Sequence, residues 1–200
     1  MLALALCAPL GSLAADPFVA GKAEAGQAKA AVCAACHGPA GNSANPEWPN
    51  LAGQGSRYTY EQLKAFKGGQ RKNALMLGQV ANLSDQDMRD LAAHYALLAP
   101  RPGVASKDAV PIAQPLYRAG DAARGLAACS ACHGPTGAGN PAAGYPRVAG
   151  QHATYTAAQL RAYRAGERNA TASGQIMGAI AAKLTDQEIE ALASYLNGLQ

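Results

Sequence analysis

The chain has 200 residues, enough for one ordinary domain or two small ones. Its formal net charge is +4, spread evenly: eight Lys or Arg face seven acids in the first hundred residues, and nine face six in the second. A mildly basic chain without a concentrated patch argues against a dedicated nucleic-acid binder.

Residues 1–15, "MLALALCAPLGSLAA", are apolar and short. They read as the apolar region of a secretory signal, with Ser12-Leu13-Ala14 as a small-x-small cleavage site. A buried N-terminal helix is the alternative, but Asp16-Pro17 follows at once and the run has no polar face. Leu6 before Cys7 is too large for a lipoprotein site. No later segment has the roughly 18 consecutive apolar residues needed to span a membrane. The expectation is an exported protein found in the periplasm after the signal is removed.

The sequence repeats itself. Cys33–His37 aligns with Cys129–His133 at an offset of 96, Trp48–Gln54 with Tyr145–Gln151 at 97, and Leu83–Asp87 with Leu184–Glu188 at 101. The drift places a small gap before the "WP" element and a four-residue insertion near Thr171–Gly174. Between the copies, Ala99–Pro111 holds three prolines and no periodicity, which reads as a linker. The expected organisation is a signal over 1–15, one domain over 16–98, a linker over 99–111 and a second domain over 112–200.

In chain order, each unit reads as helical. "AGKAEAG" (20–26) and "AGDAARG" (119–125) begin Ala- and Lys/Arg-rich stretches that lead into the Cys clusters. Thr59-x-x-Gln62 and Thr156-x-x-Gln159 fit the capping-box pattern of a helix start, with Leu63 and Phe66, or Leu160 and Tyr163, on one face behind them. Ser84-x-x-Asp87 and Thr185-x-x-Glu188 mark a second start. Met88, Leu91, Tyr95 and Leu98 then follow at helical spacing, as do Ile189, Leu192, Leu196 and Leu199. No run of alternating β-branched residues suggests a sheet. The segments between are long loops, and a unit of about 90 residues built this way has a thin core. Something else must fill the middle.

Four of the five cysteines lie in two Cys-x-x-Cys-His clusters, each followed by Gly-Pro-x-Gly. This is the haem c attachment signature. Two thiols one helical turn apart can add to the two vinyl groups on one porphyrin edge, and the adjoining His then reaches the iron. A zinc site would want a second ligand pair in each unit, and no other His or Cys recurs. A thioredoxin-like motif wants a β-α-β context. A disulfide inside each cluster remains the alternative in an exported chain. The reading is two haem c, held by Cys33 and Cys36 and by Cys129 and Cys132, with His37 and His133 as iron ligands.

The repeat also selects sixth ligands. Met76 aligns with Met177, seven residues before "LSD" and "LTD", in Gly-containing stretches without helical periodicity. Met88 aligns with Ile189 and reads as core, and His94 and His152 align with Tyr195 and Gly55 and read as surface or structural residues. A thioether ligand favours Fe(II) and raises the potential relative to two histidines. A six-coordinate iron leaves outer-sphere transfer of one electron per haem. Pro49 and Pro146 occupy matching positions, where a backbone carbonyl can accept the other ring N–H of a ligating His. Trp48 and Tyr145 are candidates to pack on the haem or bond a propionate, with ordinary loop packing as the alternative. Arg57, Arg71 and Arg168 are candidate propionate partners, of which Arg71 and Arg168 align.

The two "CxxCHGPxG" units, "WPNLAGQ"/"YPRVAGQ", Met76/Met177 and "LSDQD"/"LTDQE" together resemble the diheme cytochrome c4 family, over about Phe18 to Gln200. The resemblance implies an all-α fold of two tandem class I cytochrome c domains, each wrapped around a covalent haem c, joined by the Pro-rich linker and related by a pseudo-two-fold. It implies axial pairs His37/Met76 and His133/Met177, with Pro49 and Pro146 as the His-bonding prolines. It also implies an electron carrier rather than an enzyme, located in the periplasm and peripherally associated with the inner membrane. Its redox partners would be a quinol-oxidising bc complex as donor and a terminal oxidase as acceptor. Alternatives are a diheme subunit of a dehydrogenase, such as a flavocytochrome sulfide dehydrogenase, or a diheme peroxidase. The stretch around Met76, "RKNALMLG", is shorter than its partner "RNATASGQIMG".

Overall fold

The protein is represented by a computed structural model in which residues 20–200 are described. The segment read as a signal, with Met1 and Cys7, lies outside the described residues. The first unit carries α1 (Ala23–Lys29), α2 (Ala31–His37), α3 (Ser56–Lys67), α4 (Ala74–Val80) and α5 (Asp85–Leu97). The second carries α6 (Val110–Ala119), α7 (Ser130–His133), α8 (Ala153–Arg164), α9 (Ala172–Ala181) and α10 (Asp186–Gly198). Among the described residues, β pairing is limited to two isolated bridges, Asp121–Leu126 and Asn140–Tyr145.

The last helix of each unit starts where its capping residues dictate. Ser84 Oγ accepts from the Asp87 N–H at 3.1 Å while the Asp87 carboxylate accepts from the Ser84 N–H at 2.8 Å. Thr185 and Glu188 exchange the same pair, at 3.2 and 2.9 Å. Each box satisfies two donors that a helix start leaves orphaned. Behind them α5 buries Met88, Leu91 and Tyr95, and α10 buries Ile189, Leu192 and Leu196.

The middle helices begin earlier than their sequence suggests. α3 and α8 start at Ser56 and Ala153, three residues before Thr59 and Thr156. Their N-caps, Gly55 and His152, make no side-chain cap bond, and the Thr59 and Thr156 N–H groups already donate to the Gly55 and His152 carbonyls at 2.9 Å. The expected capping boxes are therefore mid-helix residues.

The first helix differs between units. α1 forms on "AGKAEAG" as expected and packs across α5. "AGDAARG" is instead a closed turn: Asp121 and Leu126 exchange two backbone hydrogen bonds of 2.8 Å, and Gly125 takes φ +62°. The helix that packs across α10 is α6, which begins at Val110 inside the segment read as linker. Its prolines hid it. Pro111 lies in the first turn, where its missing N–H costs nothing, and Pro115 forgoes one internal bond. α6 buries Ala113, Leu116 and Tyr117. The strand of chain before it, 101–106, runs along α10: the Gly103 and Val104 N–H groups donate to Asn197, and that of Ser106 to Ser194 Oγ.

The units meet through their loops. The Gln151 amide exchanges hydrogen bonds with the Asn50 backbone at 2.9 and 3.0 Å, Tyr155 N–H donates to the Pro46 carbonyl, and His152 Nε2 donates to the Ser43 carbonyl at 3.0 Å. His152 is thus a structural residue of the interface.

Candidate haem-binding sites

α2 places Cys33 and Cys36 one turn apart, with His37 as its last residue. α7 does the same for Cys132 and His133, with Cys129 as its N-cap. Each helix ends on a glycine with positive φ, Gly38 at +79° and Gly134 at +76°. At Gly38 a Cβ would lie 2.2 Å from the Asn42 carbonyl oxygen, so the chain can turn away there only with glycine. No disulfide joins the cysteines within either cluster among the described residues.

The two histidines are fixed alike. His37 Nδ1 donates to the Pro49 carbonyl at 2.8 Å, and His133 Nδ1 to the Pro146 carbonyl at 2.9 Å. A carbonyl only accepts, so each Nδ1 carries the proton and each Nε2 keeps a lone pair. Burial lowers both imidazoles below their ordinary value and outweighs the opposing pull of the carbonyls. Both rings are therefore neutral at physiological pH, oriented, and ready to bind metal through Nε2.

One cavity of about 820 Å³ reaches from Cys33, Cys36, His37 and Met76 to Cys129, Cys132, His133 and Met177. Packed interiors hold few voids larger than a water molecule, so a space of this size fits a large group built into the core. Its wall is mainly apolar, and the Thr59 hydroxyl on it is buried without a partner among the described residues. Soft sulfur and imidazole donors around an apolar cavity fit a covalently held porphyrin in each unit. Among the described residues no group of three His, Cys, Asp or Glu side chains is placed to hold a bare metal ion.

The methionines reach the wall differently from expectation. Met76 and Met177 lie on helices, α4 and α9, rather than in loops. Asn73 caps α4 by accepting from the Met76 N–H at 2.9 Å. The insertion at Thr171–Gly174 forms an added first turn of α9, capped by Thr171, so both methionines keep the same place relative to the helix end. Trp48 and Tyr145 line the cavity; His94 and Arg57 do not, and Met88 is buried core.

Arg71 and Arg168 lie where the units meet. Arg71 donates to Gln62 Oε1 (2.8 Å) in its own unit, and to Tyr155 OH (2.8 Å) and Gln159 Oε1 (3.0 Å) across the interface. Arg168 donates to Gln159 Oε1 (2.7 Å) in its own unit and to Gln62 Oε1 (2.9 Å) across, and hydrogen-bonds Tyr58. Arg71 stacks on Phe66 at 4.4 Å and Arg168 on Tyr163 at 4.3 Å. Every one of these pairs repeats at an offset of 97, so the network has a pseudo-two-fold. The offset of Tyr58/Tyr155 was the signal available for these partners; Gln62 and Gln159 carried a different expectation, as caps.

Two all-helical units, each offering Cys-x-x-Cys-His and a methionine to an apolar cavity, define a tandem c-type cytochrome. A family model for cytochrome c matches residues 23–95 and 118–200. Cytochrome c4 of Azotobacter vinelandii is 48% identical over 189 residues, covering 90% of each chain. The crystal structure of reduced recombinant cytochrome c4 from Pseudomonas stutzeri superposes with a TM-score of 0.88 at 45% identity, covering 90% of this chain and 100% of that one. The thiosulfate dehydrogenase electron acceptor of Thiomonas intermedia (strain K12) is 37% identical over 177 residues, 84% of this chain and 78% of that protein. The chain belongs to the diheme cytochrome c4 family. It is an electron-transfer protein that exchanges electrons with redox partners, and its Cys33/Cys36 and Cys129/Cys132 sites carry two covalent haem c with His/Met coordination.

Proposed function

We propose that this chain is a periplasmic relay carrying single electrons from a quinol-oxidising bc complex toward a terminal oxidase, with peripheral association to the inner membrane. His37 and Met76 are the axial pair of the first site, His133 and Met177 of the second. Cys33, Cys36, Cys129 and Cys132 make the thioether bonds. The domains we assign are 16–98 and 112–200, joined by 99–111, after a signal over 1–15, with α6 carrying the helical start of the second domain back to Val110. The haem iron supplies reversible one-electron exchange, and the chain supplies the rest. The Pro49 and Pro146 carbonyls hold each imidazole in the Nδ1–H tautomer, so the donor nitrogen is set before a ligand arrives. That matched geometry in both units is the observation that carries the reading.

The cavity mouth suits brief contact with partners. Val32, Leu75 and Ile176 line it and stay exposed, at 67%, 69% and 48%. Apolar side chains at a rim favour a desolvated encounter without the large area of a permanent interface. Spectroelectrochemical titration of the mature protein, with carbon monoxide and peroxide added, tests the site. Two low-spin haems inert to both are expected, and a haem that binds carbon monoxide or turns over peroxide would point to the peroxidase alternative. Stopped-flow oxidation by oxidase-containing membranes tests the relay. The likeness to a thiosulfate dehydrogenase electron acceptor favours a second reading, acceptor to a dehydrogenase. Faster reduction by a purified dehydrogenase than by a bc complex would select it.

A further inference from the structure

Five other arginines, Arg57, Arg89, Arg124, Arg161 and Arg164, each pair with a carboxylate. Arg71 and Arg168, like Arg101, Arg118 and Arg147, have no carboxylate partner among the described residues; what sets these two apart is that they share two neutral amide oxygens, those of Gln62 and Gln159. Two guanidiniums bound to the same oxygen are like charges at close range in a half-buried site, and that arrangement is unfavourable alone. Burial pushes the neighbouring Tyr58 hydroxyl up, and the two arginines pull it down. Both arginines line the cavity, so an anion inside it would complete the network. A planar fork that stacks on an aromatic ring and has donors to spare is suited to a carboxylate.

We propose that Arg71 and Arg168 form one clamp, shared by both units, for the carboxylate side chains of the two haems, and that the charge on either arginine sets the reduction potential of both sites. The inference rests on the haem reading above. Its distinctive content is the sharing. Each guanidinium is bonded to side chains of both units, so each is close to both sites rather than to its own. Reduction adds an electron, and a nearby positive charge favours it. Removing one charge therefore lowers both potentials together.

The test uses the mature two-haem protein. Arg71→Gln and Arg168→Gln are made singly, haem is counted by the pyridine haemochrome, and both midpoint potentials are titrated. Each variant is expected to lower both potentials, and Arg71→Lys to restore most of the shift. Arg57→Gln is the control: it removes an equal charge and the Arg57–Ala142 bond across the same interface, outside the cavity wall. It is expected to leave both potentials in place. Movement of only one potential, of neither, or of both equally in Arg57→Gln overturns the clamp. If Arg71→Gln does not mature, the nearly isosteric Gln62→Glu places a carboxylate between the two guanidiniums. It too must lower both potentials, and a shift in one or none overturns the proposal. A wild-type protein lacking two low-spin haems would instead overturn the haem reading, so the two failures are distinct.

Discussion

Gln54 of the first unit and Arg147 of the second exchange a reciprocal pair of hydrogen bonds: the Gln54 Nε2–H donates to the Arg147 carbonyl at 3.0 Å, and the Arg147 N–H donates to Gln54 Oε1 at 2.9 Å. Gln151 and Asn50 repeat the exchange at positions 97 residues displaced. A side-chain amide thus stands in for a backbone partner on each side of the pseudo-two-fold. The exchange makes the interface specific, because each bond needs its partner loop in register.

Gln54→Ala leaves the half-buried carbonyl and N–H of Arg147 unmet. We expect a loss of about 2 kcal/mol from the pairing of the units. Differential scanning calorimetry of the holo-protein should then resolve two unfolding steps where the wild type has one. A single, unshifted transition would show that the exchange contributes nothing to coupling.

Gly26 is needed for space rather than for backbone freedom. A Cβ there would lie 2.0 Å from the Asp90 carbonyl oxygen, where α1 crosses α5. Alanine would gain about 1 kcal/mol of helix propensity. Forcing two helices apart costs about 1–3 kcal/mol or more. Clash wins, so Gly26→Ala should lower the urea midpoint of the first unit; a raised midpoint would mean the crossing yields easily.

Much of this architecture is legible in the residues themselves, wherever a local pattern is the cause. The capping boxes at Ser84 and Thr185 and the apolar spacing behind them are local, and so is Cys-x-x-Cys-His. What escaped the sequence has tertiary causes. α3 and α8 begin on Gly55 and His152, which carry no capping signature. α6 exists because Ala113 and Tyr117 find a place against α10, despite two prolines. The helical setting of Met76 depends on the Asn73 cap, which periodicity alone does not reveal. The Arg71–Arg168 network requires two distant segments to meet, and only the repeat offset hints at it.

Asp90 makes the first unit sensitive to acid. Its side chain is 4% exposed, and it accepts from the Lys22 N–H, Lys29 Nζ and Gln86 Nε2, each at 2.8 Å. Burial pushes its carboxyl up, but these donors outweigh burial and hold it below the ordinary value. A depressed folded-state value means the stabilisation is complete above the unfolded value of about 3.9 and is lost as pH falls through the folded one. The urea midpoint of the first unit should therefore fall steeply below about pH 4. Asp90→Asn should be less stable at neutral pH and show a flatter decline in acid; an equally steep decline would assign the acid sensitivity elsewhere.

Met76→His should retain the first haem and lower its potential, because imidazole favours Fe(III) more than a thioether does. The second potential should move little. The variant also keeps the Asn73 cap, which binds the backbone N–H of residue 76 rather than its side chain. Redox titration checks this, and an unchanged first potential would remove Met76 from the iron.

The cavity makes the haem part of the core, and the second unit can show it. Cys129→Ala with Cys132→Ala should halve the covalent haem, read by haem stain against protein mass. Cavities cost about 24 cal/mol per Å³. Even a quarter of the 820 Å³ space left unfilled would cost about 5 kcal/mol, the lower bound of a typical domain's entire stability of about 5–15 kcal/mol. The surrounding cluster of Tyr117, Ile189, Leu192 and Leu196 would then have a void on one side. The expected result is a second unit open to proteases along α8 and α9, next to a first unit that still resists them. A variant with one haem and an intact, protease-resistant second unit would mean that the apolar cluster alone holds that fold.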